Sequence, residues 1–331
     1  MRVGLLGAGR IGTSHARVLA EHPDIDSLLI GDINMERAGA LAQQVGAEAA
    51  PVDKILEGKL DAAVIAAATS AHAELINRCL DAGLPTFCEK PIALDYGETA
   101  AIVDRVEASG AILQIGFQRR FDAGYREAKR LIEANRLGTI YCIRMAGHDP
   151  EPPHESYIPQ SGGIFRDLHI HDFDILRWLT GSEVEEVFAY GAVRRFEMFA
   201  RYGDVDTSAA IMRMRDGLPV VLTGSRQDAL GYDIRAEIIG SEDSISVGLD
   251  QHTPLRSVEP GMPPFEGPAY PHFTVRFAAA YRAELDHFLD LARGRAENPC
   301  TARDALEALR IAMAADESLA QHRPVPVSEI G

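Results

Sequence analysis

The sequence predicts an α/β chain in two parts: an N-terminal doubly wound parallel sheet over residues 1–120, then an α+β domain with a large, mostly antiparallel sheet over 121–331. Three observations carry this. Apolar runs alternate with helical stretches through the first third, the order that a parallel sheet with crossover helices requires. The rhythm changes near residue 121. After that point, turn chemistry at Asp216-Gly217 and at Gly240-Ser241-Glu242-Asp243 marks antiparallel hairpins. A length of 331 residues with 46% hydrophobic content suffices for two cores.

The elements follow in order. Val3-Gly4-Leu5-Leu6 is a buried strand, and a helical pattern follows Gly12. Leu28-Leu29-Ile30-Gly31 is the second strand, and Asn34 caps a helix that runs to Gly46. Ala47–Val52 and Ala62–Ala67 are strands; Thr69-Ser70 opens a helix that closes at Gly83. Pro85–Glu89 is a strand, Asp95 with Glu98 forms a capping box for a helix ending near Gly110, and Ala111–Phe117 is the sixth strand. In the second part, Phe121–Asn135 is helical and Ile140–Ala146 extended. A proline-rich loop spans Pro150–Pro159, and one helix runs from Ile164 to Leu179. Two helical segments, about 275–294 and 302–320, close the chain, with 150–160 and 250–272 as the flexible loops.

The first turn carries the most chemistry. Gly7-Ala8-Gly9-Arg10-Ile11-Gly12 lies between a strand and a helix, and Asp32 ends the next strand 20 residues after Gly12. That is a dinucleotide-binding fingerprint. Gly7 permits the tight turn, Gly9 lets the backbone approach a pyrophosphate, and Gly12 lets helix and strand pack closely. Free N–H groups at the helix start favour the phosphate charge, and Asp32 accepts hydrogen bonds from a ribose. Asp32 would repel a 2′-phosphate, which favours NAD; Arg37 lies close enough in sequence to keep NADP open.

A formal net charge of −16 disfavours nucleic acid and anionic membrane as partners. Cys79, Cys88, Cys142 and Cys300 show no metal or redox spacing. The apolar run Ala62–Ala68 is too short to span a bilayer. With the first strand beginning at residue 3 and no leader pattern before it, a soluble cytoplasmic protein is expected.

Two further clusters bear chemistry. Glu89-Lys90-Pro91 sits at a strand end, where open parallel sheets bind ligands, so the Lys90 ammonium is within reach of a substrate oxygen; the alternative is a lysine paired on the surface. The second is Gly162-Gly163…Asp167…His171. Asp167 and His171 are four apart and share a face of a continuous helix. His171 suits acid–base work near neutral pH, with Asp167 fixing its tautomer. A buried structural network is the alternative, and the preferred one for His169. Metal binding through His169, His171 and Asp172 is disfavoured because these point different ways on a helix. His15 is read as structural or exposed. His72, after Thr69-Ser70, either lines the nicotinamide side or is structural.

These motifs together resemble the Gfo/Idh/MocA family of NAD(P)-dependent sugar and polyol dehydrogenases, nearly end to end. Within it, Phe87-Cys88-Glu89-Lys90-Pro91 and Ile170-His171-Asp172-Phe173-Asp174 are most similar to the inositol-oxidising group. The resemblance implies Lys90, Asp167 and His171 as the catalytic trio. It implies cofactor contacts from Gly7, Gly9, Arg10, Ile11, Gly12, Asp32, Thr69, His72, Glu89 and Gln118. It places Asp149, Tyr157 and Tyr232 with Lys90, Asp167 and His171 on the substrate. At Asp149 several inositol-oxidising relatives carry an amide, so this carboxylate points to a different hydroxyl pattern or ring. The implied reaction is oxidation of a secondary hydroxyl of a cyclic polyol or sugar, myo-inositol to its 2-ketone first. Another cyclitol or pyranose, a redox-neutral sugar enzyme, and a non-catalytic dinucleotide-binding regulator are the alternatives. The family assembles through the second-domain sheet, which implies a homo-oligomer, dimer or tetramer.

Overall fold

The computed structural model describes residues 1–262, 265 and 267–331. Its chain divides into two units, Met1–Phe121 with Ala279–Glu307, and Asp122–Ala278 with Ala308–Gly331. The return of 279–307 to the first unit is not contained in a linear division after residue 120.

In the first unit, β1 (Arg2–Leu6), β2 (Ser27–Gly31), β3 (Glu48–Ala49), β4 (Ala62–Ile65), β5 (Thr86–Glu89) and β6 (Leu113–Gly116) form one parallel sheet. Its order is β3-β2-β1-β4-β5-β6, which reverses direction between β1 and β4. Ligands bind beyond the carboxyl ends of the strands at such a reversal. The expected strand Ala47–Val52 is shorter than its sequence suggests: Pro51 pre-sets the backbone for a helix that starts at Val52. Asn34 and Asp95 cap their helices by accepting the N–H of Arg37 and Glu98, and Gly46 and Gly110 end them in the left-handed region.

The helix Ala278–Ala292 belongs to this core. Leu285, Phe288 and Leu289 lie in one buried cluster with Val3, Leu5, Ile30, Val64 and Phe87. At about 1.5–3 kcal/mol for each large apolar side chain removed from water, those three residues hold the returning segment in place. Polar ties finish the job: Ile115 N–H donates to Cys300 O at 2.9 Å, and Arg120 bonds Pro299 O at 2.6 Å and pairs with Asp304 at 3.1 Å.

The second unit is built on a sheet of β7 (Ile140–His148), β8 (Val184–Ala192), β9 (Thr207–Met214), β10 (Pro219–Ser225), β11 (Asp233–Gly240), β12 (Ser244–Val247) and β13 (Val325–Pro326). The order is β12-β11-β7-β10-β9-β8-β13, antiparallel throughout except for β7 beside β10. Burial alternates along β9 and β10, so one face is covered and the other open. The helix Ile170–Thr180 supplies buried Ile170, Phe173, Ile175 and Leu176. On the open face, Phe188, Tyr190, Ile211 and Val221 are exposed.

The helix expected from Ile164 to Leu179 is in fact two, Ile164–Asp167 and Ile170–Thr180, with Leu168 and His169 between them. Asp167 and His171 therefore stand on different helices rather than on one face of a single helix. Three residues of the 250–272 loop (263, 264 and 266) lie outside the described residues.

Candidate active site

The glycine turn of the first unit separates three jobs that the spacing alone lumps together. Gly7 has φ +115°, and a Cβ there would run into Ala66 O and its peptide. A Cβ on Gly12 would collide with Gly7 O. Both glycines are therefore required by the protein's own backbone. Gly9 differs: it caps the helix Arg10–Glu21 with an ordinary φ of −76°, and a Cβ there meets nothing within 4 Å. The space beside Gly9 is what an approaching diphosphate needs. Arg10 and Ile11 follow at the helix start.

Asp32 closes the turn. Its carboxylate accepts the Ala8 N–H at 2.7 Å and the Asn34 N–H at 2.8 Å, and receives Arg37 Nη2 at 2.7 Å. Burial opposes its ionisation, but Arg37 and the two N–H donors outweigh that and hold the carboxyl below its ordinary range. Ala8, Gly9, Arg10, Thr13, Arg37 and Gln44 line an open cleft of ≈ 440 Å³. These residues suit a dinucleotide: open space beside Gly9 at a helix start for phosphate, with a carboxylate for ribose.

At the carboxyl ends of the next strands, Thr69 begins a short 3₁₀ turn, and His72 follows it, 1% exposed. The His72 ring nitrogens face Pro91 O at 2.8 Å and Ala67 O at 3.1 Å. Burial lowers its pKa, against the pull of both carbonyls. His72 thus braces the turn carrying Lys90-Pro91. Glu89 is buried, and His15 Nε2 donates to its Oε1 at 2.6 Å. His15 is fully buried between Phe87 and Tyr281, the structural role expected of it. Gln118 is buried in the turn after β6.

In the second unit the structure brings together Asp149, Tyr157 and Asp167. Tyr157 OH donates to Asp167 Oδ1 at 2.9 Å. Arg226 Nη1 donates to Asp167 Oδ2 at 2.8 Å and lies 3.5 Å from Asp149 Oδ2. Arg226, 2% exposed, comes from the end of β10 and was not singled out in the sequence. Asp204 was not either. It accepts the Ile164 N–H at 3.0 Å, fixing the start of the helix that ends at Asp167, while Gly163 at φ +91° leaves room for its carboxylate. The only sequence signal for either was a charge at the end of a strand-like stretch.

His171 lies in the first turn of Ile170–Thr180 with its Nδ1 buried. Tyr232 is buried just before β11, edge-on to Phe277. His169 is structural: its Nδ1 donates to Asp172 at 2.9 Å, leaving Nε2 to accept from the Ser208 hydroxyl at 2.8 Å. Gly224 gives it room, since a Cβ there would overlap its ring. Among the described residues no group of three His, Cys, Asp or Glu side chains is placed to hold a metal ion.

Residues 1–117 match the oxidoreductase family with an NAD-binding Rossmann fold, and residues 125–246 match the GFO/IDH/MocA C-terminal domain. The chain is 39% identical over 335 residues to a myo-inositol dehydrogenase of Streptomyces leeuwenhoekii, covering 99% of this chain and 100% of the relative. It is 34% identical to the scyllo-inositol 2-dehydrogenase (NAD(+)) of Bacillus subtilis, covering 98% and 96%. A solved structure of scyllo-inositol dehydrogenase from Lactobacillus casei, with bound NAD(H) and scyllo-inositol, aligns with a TM-score of 0.90. It is 28% identical and covers 99% of both chains.

Proposed function

The chain belongs to the GFO/IDH/MocA family of oxidoreductases, and on that premise we propose that it oxidises one secondary hydroxyl of an inositol, with myo-inositol to its 2-ketone as the first expectation. The observation that carries this is an end-to-end match to inositol dehydrogenases in a chain whose glycine turn is open at Gly9 alone.

NAD, when bound, accepts the hydride and is reduced as the alcohol is oxidised. The chain's residues do the rest. Gly9 and the helix start at Arg10 hold the diphosphate, and Asp32 holds the ribose. Ile11, Thr69, His72, Glu89 and Gln118 complete the cofactor side. Lys90 donates to the substrate oxygen as it becomes a carbonyl. His171 takes the hydroxyl proton at Nε2, and Asp167 orients and stabilises the imidazolium. Asp149, Tyr157 and Tyr232 bind the remaining hydroxyls. Arg37 paired to Asp32 leaves a cation at the ribose end, so NADP is a weaker alternative cofactor.

A second reading, another cyclitol or pyranose, is favoured by the Asp149 carboxylate beside Arg226. The test is NADH absorbance with NAD or NADP and a panel of inositol isomers and pyranoses. Turnover of myo-inositol supports the first reading, and turnover of another ring alone moves the substrate. Silence across the panel with NAD binding intact overturns the dehydrogenase reading.

We further propose a homo-oligomer, dimer or tetramer, formed through the open sheet face of Phe188, Tyr190, Ile211 and Val221. Phe188 pairs with Ile211, and Ile211 with Val221, across β8, β9 and β10, so the apolar row is continuous. A cytoplasmic location is proposed on the free thiols of Cys79, Cys88 and Cys142. No helix among the described residues is long and apolar enough to cross a membrane.

A further inference from the structure

We propose that Arg226 is a positioning residue that sets the ionisation and orientation of Asp167 and Asp149 together. This rests on the reading above for what the two carboxylates do, but the clamp itself is a property of the second unit.

The geometry is asymmetric. Arg226 Nη1 bonds Asp167 Oδ2 at 2.8 Å, while Asp149 stands at 3.5 Å, an ion pair at the limit of a hydrogen bond. One guanidinium therefore serves two carboxylates, tightly and loosely. Asp204 is the third charge it feels. The Phe199 ring lies 6.0 Å from the guanidinium carbon. The other charged pair nearby, Arg166 with Asp316 at 2.6 Å, is joined to this group through Asp204.

A buried cation among three carboxylates does two things. It keeps Asp167 ionised, the form that stabilises a protonated His171. It also fixes the direction of the carboxylate: with Oδ2 held by Arg226 and Oδ1 by Tyr157, Asp167 cannot rotate without breaking one of them. Asp149 precedes the 150–159 loop and Tyr157 lies within it, so the same clamp ties the substrate-side loop to the acid–base group. Both contacts come from the one Nη1 atom, so a lysine there would keep the charge while changing where the donor sits between the two carboxylates. A glutamine would lose the charge and leave three carboxylates in mutual repulsion.

The test compares the parent with Arg226→Lys, Arg226→Gln and the double variant Arg226→Gln/Asp149→Asn. Arg226→Gln is expected to lower kcat/KM roughly 100-fold, the scale on which misplacing a catalytic group acts. Its acid limb should move up by about one pH unit, because Asp167 loses the guanidinium that favours its ionised form. NAD affinity should stay unchanged. Arg226→Lys should keep the parent's acid limb while losing rate. The double variant should recover part of the melting temperature lost in Arg226→Gln, since one competing charge is gone; turnover is not its readout, because Asp149 also binds substrate. An acid limb unmoved in Arg226→Gln, or no recovery in the double variant, overturns the proposal. Thermal melting against pH reads the clamp without turnover. Arg226→Gln should be destabilised more at pH 8 than at pH 4, where the variant's carboxylates, clustered without a cation, can take up protons; equal loss at both pH values overturns it. A parent silent on every sugar whose variants still show this pH-dependent melting would sink the dehydrogenase reading and leave the clamp standing.

Discussion

Alanine at each of the three glycines separates backbone need from ligand need. At Gly7, a Cβ forces a residue into φ +115° and into the Ala66 peptide. Strain at such a φ is about 1–3 kcal/mol, and overpacking against backbone adds about 1–3 kcal/mol. Gly7→Ala should therefore lose about 2–6 kcal/mol of stability, or roughly 5–20 °C in melting temperature. Gly12→Ala meets Gly7 O and should fall in the same range. Gly9→Ala is the opposite case. Its φ of −76° suits alanine, and nothing lies within 4 Å of the added methyl. Restricting the unfolded chain should leave stability equal or raised by about 0.4–1 kcal/mol. The same methyl occupies the space the diphosphate needs, so NAD affinity should fall about 10–100-fold, an overpacking cost of 1–3 kcal/mol expressed as binding. Calorimetric titration with NAD and thermal melting measure both quantities on the same preparations. A Gly9→Ala protein that binds NAD as the parent does, or that melts as low as Gly7→Ala, would refute the assignment of that space to phosphate.

Three other outcomes are expected. His171→Ala should cost turnover roughly 100-fold or more while NAD affinity holds; stopped-flow NADH formation and NAD titration check it together. Asp316 is pushed up to about 6 by burial, which outweighs the attraction of Arg166. Its folded pKa exceeds its unfolded one, so the native state binds the extra proton and stability should fall as pH rises from about 4 to about 6. With its side chain 30% exposed, water screens the effect to about 1 kcal/mol, and Asp316→Asn should flatten that slope in denaturant titrations. Ile211→Asp places a charge amid the open apolar row, so light scattering should report monomers with NAD affinity retained.

The local rules were legible and the distant ones were not. Asn34, Asp95, Gly46 and Gly110 declare their helix ends because a cap is decided within four residues. The strand–turn–helix around Gly7–Gly12 and the acid at Asp32 follow from spacing alone. The break at Leu168–His169 was hidden because the apolar pattern on either side suits a helix. What bends the chain there is tertiary: His169 bonds Ser208 on β9, 39 residues away. Arg226 reaches Asp167 across 59 residues and Asp149 across 77, and no periodicity encodes such a meeting. The helix Ala278–Ala292 shows the same limit. Its sequence announces an apolar face without saying which of two sheets that face covers.

That helix makes the first unit's completion a late event in synthesis. A nascent chain that has emerged only as far as Phe121 owns all six strands of the first sheet, yet lacks Leu285, Phe288 and Leu289. Until about residue 307 has left the ribosome, part of that sheet's apolar face has no cover, and the intervening second unit is made while it waits. A chain built this way depends on its last third to finish its first, so premature termination should yield an aggregation-prone fragment rather than a working nucleotide-binding half.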